Sequence, residues 1–139
     1  MRLVVDASIA LAWFLPESAE RKDFATALLT RLRQLEGVVV VPDIFHYEVA
    51  AILRKSLASR TLQRGQYETA LALLRDISME THGTRVDVEG LCKQAEQFGC
   101  QVRDSAYVEL ARVEGLELVT LDGGMLQAAR AAKLKVWQV

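Results

Sequence analysis

The chain predicts an α/β fold, a three-layer α/β/α sandwich around a mostly parallel sheet, on three observations. Apolar runs of strand length alternate with amphipathic helical stretches along all 139 residues, the order that places helices on both faces of a sheet through right-handed crossovers. Val38-Val39-Val40-Val41 is a block of β-branched residues bounded by Gly37 and Pro42, the unbroken apolar run of a strand buried on both faces. Two further runs, one ending in Val5-Asp6 and one in Leu121-Asp122, break off abruptly at a carboxylate. Open α/β sheets bind ligands outside the carboxyl ends of their strands, so both acids stand where chemistry is usually done.

Composition bounds the rest. At 51% hydrophobic and 25% charged, the chain suits one globular domain, residues 1–139, with a sizeable core. A net charge of −1 gives no global positive field, so a nucleic-acid partner would have to be held by a local patch or by metal. The N-terminal residues show no leader pattern and no apolar run approaches the roughly 18 to 20 residues of a membrane span; a cytoplasmic protein is expected. Cys92 and Cys100, with His46 and His82 far off in sequence, make neither a zinc pattern nor a disulfide framework, and are expected as buried or half-buried thiols.

In chain order, the strand before Asp6 is followed by a short apolar helix holding Ile9, Ala10, Leu11, Trp13 and Phe14, which Pro16 interrupts. Glu17 to Leu35 reads as a longer helix, with Phe24, Leu28, Leu32 and Leu35 at three- and four-residue steps, and Gly37 ends it. Pro42-Asp43 opens a helix to about Ser59, proline suiting the first turn and an acid the N-terminal dipole. Gln63 to Arg75 is another helix, with Leu71 and Leu74 as its core candidates. Ile77 to Thr81 is a short edge strand, with a turn at Gly83. Asp87 to Phe98 is helical up to Gly99, and Arg103 to Ala111 is a helix whose first turn carries Asp104. Leu116 to Leu121 is a strand, Met125 to Ala132 a small-residue helix, and Leu134 to Val139 a final strand containing Val136 and Trp137.

Four carboxylates then meet on one rim: Asp6 and Asp122 at strand ends, Asp104 at a helix start and Glu48 in an early helical turn. A step of about 100° per residue sets Glu48 between Ile44, Ala51 and Ile52, on an apolar face where a lone carboxylate is costly. Plainer roles exist for each. Asp6, Ser8 or Asp104 could be helix caps, Asp122 with its two glycines a turn, and Glu48 the partner of Lys55. Taken together, like charges about 5 Å apart at an effective dielectric near 20 repel by about 3 kcal/mol per pair, so such a cluster should hold protons or a cation. All-oxygen ligands select a hard ion, Mg²⁺ or Mn²⁺. With no Ser-His or Cys-His pair to compete, that donor set suits hydrolysis of phosphate esters.

In their order and spacing, VVDAS, the Glu within HYEVAAIL, the helix RDSAYVELA and the strand end TLD resemble the ordered motifs of a PIN-domain ribonuclease. The opening DASIALAWFLPE looks most like the toxin subunit of a VapBC toxin–antitoxin pair. The resemblance spans essentially the whole chain. It implies a sheet of about five parallel strands, Mg²⁺-dependent cleavage of RNA, and a catalytic set of Asp6, Glu48, Asp104 and Asp122. Asp6 and Asp104 would hold the metal most directly, with Asp122 assisting and Glu48 acting through water, while Ser8 and Thr120 match supporting hydroxyls. It further implies a small antitoxin that blocks the site with a cation, most simply an Arg, and a homodimer. Arg54, Lys55, Arg60 and Arg64 are the cations expected to meet RNA phosphates. Two positions depart from the pattern: Arg103 stands where an aromatic often precedes the third acid, and Gly123-Gly124 where a basic residue often follows the fourth.

Other readings stay open at this point. A free-standing RNA-processing nuclease would carry the same motifs, and an inactive PIN-like module would serve as a binding scaffold. A phosphatase or phosphotransferase could use Asp6 as a covalent nucleophile, although the haloacid-dehalogenase-like pattern wants a second Asp where this chain has Ser8.

Overall fold

Val39, Val40 and Val41 are all buried, as an unbroken apolar run requires, because β2 (Val38–Pro42) lies inside the sheet. In the computed structural model, which describes residues 1–139, β2 is flanked by β1 (Arg2–Val5) and β3 (Met79–His82), and β4 (Glu117–Val119) pairs with the free side of β1. The order is β3-β2-β1-β4 and every pairing is parallel, with Val4 opposite Val40 on one side and Leu118 on the other.

The helices α1 (Ala7–Ala12) and α2 (Ala19–Gln34) connect β1 to β2, and α3 (Ile44–Ala58) and α4 (Arg64–Asp76) connect β2 to β3. The chain then returns across the sheet through α5 (Val88–Phe98) and α6 (Val102–Glu114) to β4, and α7 (Gly123–Ala131) follows. Right-handed crossovers place the outward-going and returning helices on opposite faces. The packing agrees: α6 lies against β1, β2 and β4 with α5 and α7 beside it, whereas α3 touches β2, α1 and α4. Gly115 ends α6 in the left-handed conformation at φ 65°, which a Cβ would strain. The next residue, Leu116, is thereby turned toward β4.

This topology creates the site. One connection leaves β1 toward β2 while β4 arrives on its other side, so the strand order reverses between β1 and β4. Such a switch point opens a crevice at the carboxyl ends of the two strands, and the residues just beyond those ends include Asp6 and Asp122. The Asp6 amide donates to the Val119 carbonyl at 3.0 Å, extending the ladder far enough to fix the first of them.

Several expectations are corrected in detail. The final strand, Leu134 to Val139, shrinks to a single parallel bridge between Val136 and Leu118, so the sheet has four strands plus that bridge. Trp137 is nonetheless buried, its ring set edge-on to Phe24 at 5.4 Å. Pro42 closes β2 instead of opening α3, and the Asp43 carboxylate takes the Thr84 amide and hydroxyl at 3.1 and 3.0 Å, tying the loop after β3 to the start of α3. In α4 the fully buried residue is Ala70, with Leu71 and Leu74 half-buried against the core, because this helix packs on α3 at the margin of its layer. Cys92 is exposed on α5, and only Cys100 is partly covered.

Candidate active site

Asp6 is 6% exposed and caps α1 from the end of β1. The Ser8 and Thr120 hydroxyls both donate to its Oδ2, at 2.6 and 3.0 Å, while Oδ1 receives only the Ser8 amide at 3.4 Å. One oxygen is saturated and the other keeps open lone pairs. Burial pushes this carboxyl above the usual carboxylate range, against the pull of the two hydroxyls. Thr120 also accepts from the Asp122 amide at 3.0 Å, so a single buried hydroxyl fixes both strand ends. Asp122 is exposed and caps α7 through Oδ2, which accepts from the Met125 amide at 2.9 Å.

The capping role weighed for Asp6 therefore holds, and Asp122, weighed as part of a turn, is a cap as well. The role fails for Asp104, which lies within the first turn of α6, a helix that starts at Val102, one residue before the expected Arg103, with Gln101 at its N-cap. Asp104 is half-buried and makes no hydrogen bond; burial, then the charges of Asp122 and Asp6, raise its carboxyl. Glu48 lies at the edge of the buried stripe of Phe45, Val49 and Leu53, beside exposed Ala51 and Ile52. Its partner is not Lys55. The fully buried Tyr107 donates its hydroxyl to Glu48 Oε1 at 2.7 Å, and the Arg103 guanidinium stands 3.8 Å from Oε2. Burial again raises the carboxyl, and Asp6 adds to the effect.

All four acids line one open cleft of about 630 Å³, together with Ser8, Leu11, Arg21, Tyr47, Ala51, Ile52 and Arg103. A family model for the PIN domain matches residues 3–131 of the chain. The chain belongs to the PIN-domain family. Ribonuclease VapC3 of Pyrobaculum aerophilum is 32% identical over 124 residues, covering 88% of this chain and 90% of that protein. Among solved structures, PAE2754 from Pyrobaculum aerophilum superposes with a TM-score of 0.67 at 18% identity, over 94% of this chain and 81% of that one. VapBC2 from Rickettsia felis, bound to a DNA fragment from their promoter, gives a TM-score of 0.64 at 16% identity, over 99% and 98%. These two likenesses are of fold.

Sequence reasoning missed three residues of this PIN domain's site: the buried Tyr107, which holds Glu48, and Arg21 and Tyr47, which line the cleft. Tyr107 follows Asp104 by three positions, hence on the same side of α6, which was a usable signal. Arg21 and Tyr47 carried none, since both are ordinary helical surface residues until the topology sets them beside the acids. Of the expected RNA-facing cations, Arg54, Lys55, Arg60 and Arg64 are exposed, and none lines the cleft. Arg64 instead stands over the Tyr67 ring, 5.7 Å from its centroid. A second group of possible ligands, Glu80, His82 and Glu114, lies apart from the cleft. It is already a closed tie, with the His82 ring nitrogen against the two carboxylates at 2.7 and 3.1 Å and Arg2 on both oxygens of Glu80. No helix is long and apolar enough to cross a membrane.

Proposed function

We propose that this PIN domain is a metal-dependent endoribonuclease and the toxin of a toxin–antitoxin pair. The observation that carries the reading is the convergence of Asp6, Glu48, Asp104 and Asp122 at the switch point, with Asp104 unpartnered and Asp6 Oδ1 left open. The donor set is all oxygen, and burial with mutual repulsion disfavours the ionised forms of Asp6, Glu48 and Asp104, so a hard divalent cation fits it. Asp6, Asp104 and Asp122 would hold Mg²⁺, with Mn²⁺ as a substitute. When bound, the ion supplies charge neutralisation at the phosphate and a more acidic water.

The chain's own groups do the remainder. Ser8 and Thr120 fix the Asp6 carboxylate from behind, on Oδ2. Tyr107 takes up Glu48 Oε1 and leaves Oε2 to receive a proton from the attacking water. The raised affinity of Glu48 for protons brings it nearer the working pH, which favours a general base. Arg54, Lys55, Arg60 and Arg64 would meet RNA phosphates beyond the cleft. The likeness to a ribonuclease over nearly the whole chain supports the substrate class. The likeness of fold to VapBC2 supports a small antitoxin partner, whose simplest blocking group is an Arg forked onto the carboxylates; a homodimer is the expected assembly.

The purified protein should cleave RNA in Mg²⁺ or Mn²⁺ and stop in chelator, leaving 5′-phosphate and 3′-hydroxyl ends. Cyclic phosphate ends would show attack by the ribose hydroxyl and defeat the mechanism.

A further inference from the structure

We propose that Tyr47 is a substrate-binding residue of the cleft, its ring forming the platform on which one unstacked nucleobase of the RNA rests while Arg21 holds an adjoining phosphate. This deepens the nuclease reading and rests on it.

Tyr47 is 80% exposed on α3, next to Glu48, and lines the cleft. Ala51 and Ile52 follow it at helical spacing and are exposed too, with half-buried Leu11 also lining the cleft. An apolar, aromatic strip is thus left open on the acid side of a helix whose other face is core. The strip adjoins charge, not more apolar surface. Arg21, in the first turn of α2, lines the same cleft and enters no ion pair, while Arg103 is engaged only at 3.8 Å by Glu48 and 3.3 Å by Gln101.

A ligand that satisfies this surface must present a flat apolar face and an anion a short distance apart, beside groups that would grip a phosphodiester. A nucleotide does so. A protein segment that filled the apolar strip would still have to match two guanidinium groups and four carboxylates. Because the net charge of −1 provides no long-range attraction, affinity must come from local contacts of this kind. Base stacking on an aromatic ring supplies it without regard to base identity.

The test uses the full chain as parent, Tyr47→Ala, Tyr47→Phe and Arg21→Gln, with a short single-stranded RNA carrying 2-aminopurine at successive positions. Binding is read in Ca²⁺ by the fluorophore's emission, and cleavage in Mg²⁺ by initial rates. In the parent, emission should be quenched at one position. Tyr47→Phe should keep that quenching, and Tyr47→Ala should lose it and raise KM about tenfold with kcat within about twofold. Arg21→Gln should lower the slope of log affinity against log salt by about 0.7. Unchanged quenching and KM in Tyr47→Ala would overturn the platform. So would a Phe variant as impaired as the Ala variant, or a Tyr47→Ala defect confined to binding of a protein partner. A parent that cleaves no RNA in Mg²⁺ removes the nuclease reading itself, before any variant is compared.

Discussion

Asp104 is an acid in the first turn of a helix that neither caps that helix nor pairs with a base. Its negative charge is opposed by Asp122 and Asp6, so in the metal-free protein it works against the fold. Asp104→Asn should therefore melt at or above the parental temperature in chelator while losing most RNA cleavage. Mg²⁺ at 100 times its dissociation constant should stabilise the parent by about 2.7 kcal/mol and the variant far less. Paired thermal melts decide it, and a variant that keeps both the Mg²⁺ shift and cleavage removes Asp104 from the metal set. At this scale the acids were legible because strand ends and helical phase are local properties. The partner of Glu48 was not, since Tyr107 reaches it from the opposite layer across 59 residues of chain.

At the scale of elements, α7 depends on a residue that the proposed metal set also uses. Its first turn is Gly123-Gly124, a poor helical start, and Asp122 offsets this by accepting from the Met125 amide. Asp122→Asn should hold the cap and the denaturation midpoint while reducing cleavage. Asp122→Ala should reduce cleavage equally and cost about 1 kcal/mol of stability as well. Equal midpoints for the two variants would show that the cap contributes nothing. Helices and buried strands were readable from period and from β-branched runs. The fifth strand was not, because Leu134 to Val139 has strand composition but forms only one bridge, beside a β4 that is itself three residues long. Nor was the core face of α4 legible, since depth depends on what a helix packs against.

For the molecule as a whole, the acid cluster sets how stability follows pH. Asp6, Glu48 and Asp104 have carboxyls raised in the fold, chiefly by burial. Above the ordinary carboxylate range the folded protein keeps protons the unfolded chain has released, so stability falls as pH rises through the raised values. Asp43 has the opposite sign, its carboxyl held low by the Thr84 amide, and its contribution is lost only in more acid solution. Metal-free protein should thus gain stability as the pH falls from neutral toward the ordinary carboxylate range of about 4. Mg²⁺ should flatten that profile, because it binds the ionised carboxylates. Denaturant titrations across pH, with and without chelator, check it; stability climbing toward neutral pH in chelator would contradict the inferred cluster.

Both tryptophans of the chain rest on one spot of one helix. Trp13 donates its indole N–H to the Ala25 carbonyl at 2.8 Å, and Trp137 meets Phe24, the residue before it, edge-on. That helix is α2, whose first turn offers Arg21 to the cleft. The protein thereby carries a built-in optical gauge of the seating of the element that would receive a substrate phosphate: a change in the colour or brightness of its ultraviolet emission on adding RNA is the expected sign of that element responding, with no label attached.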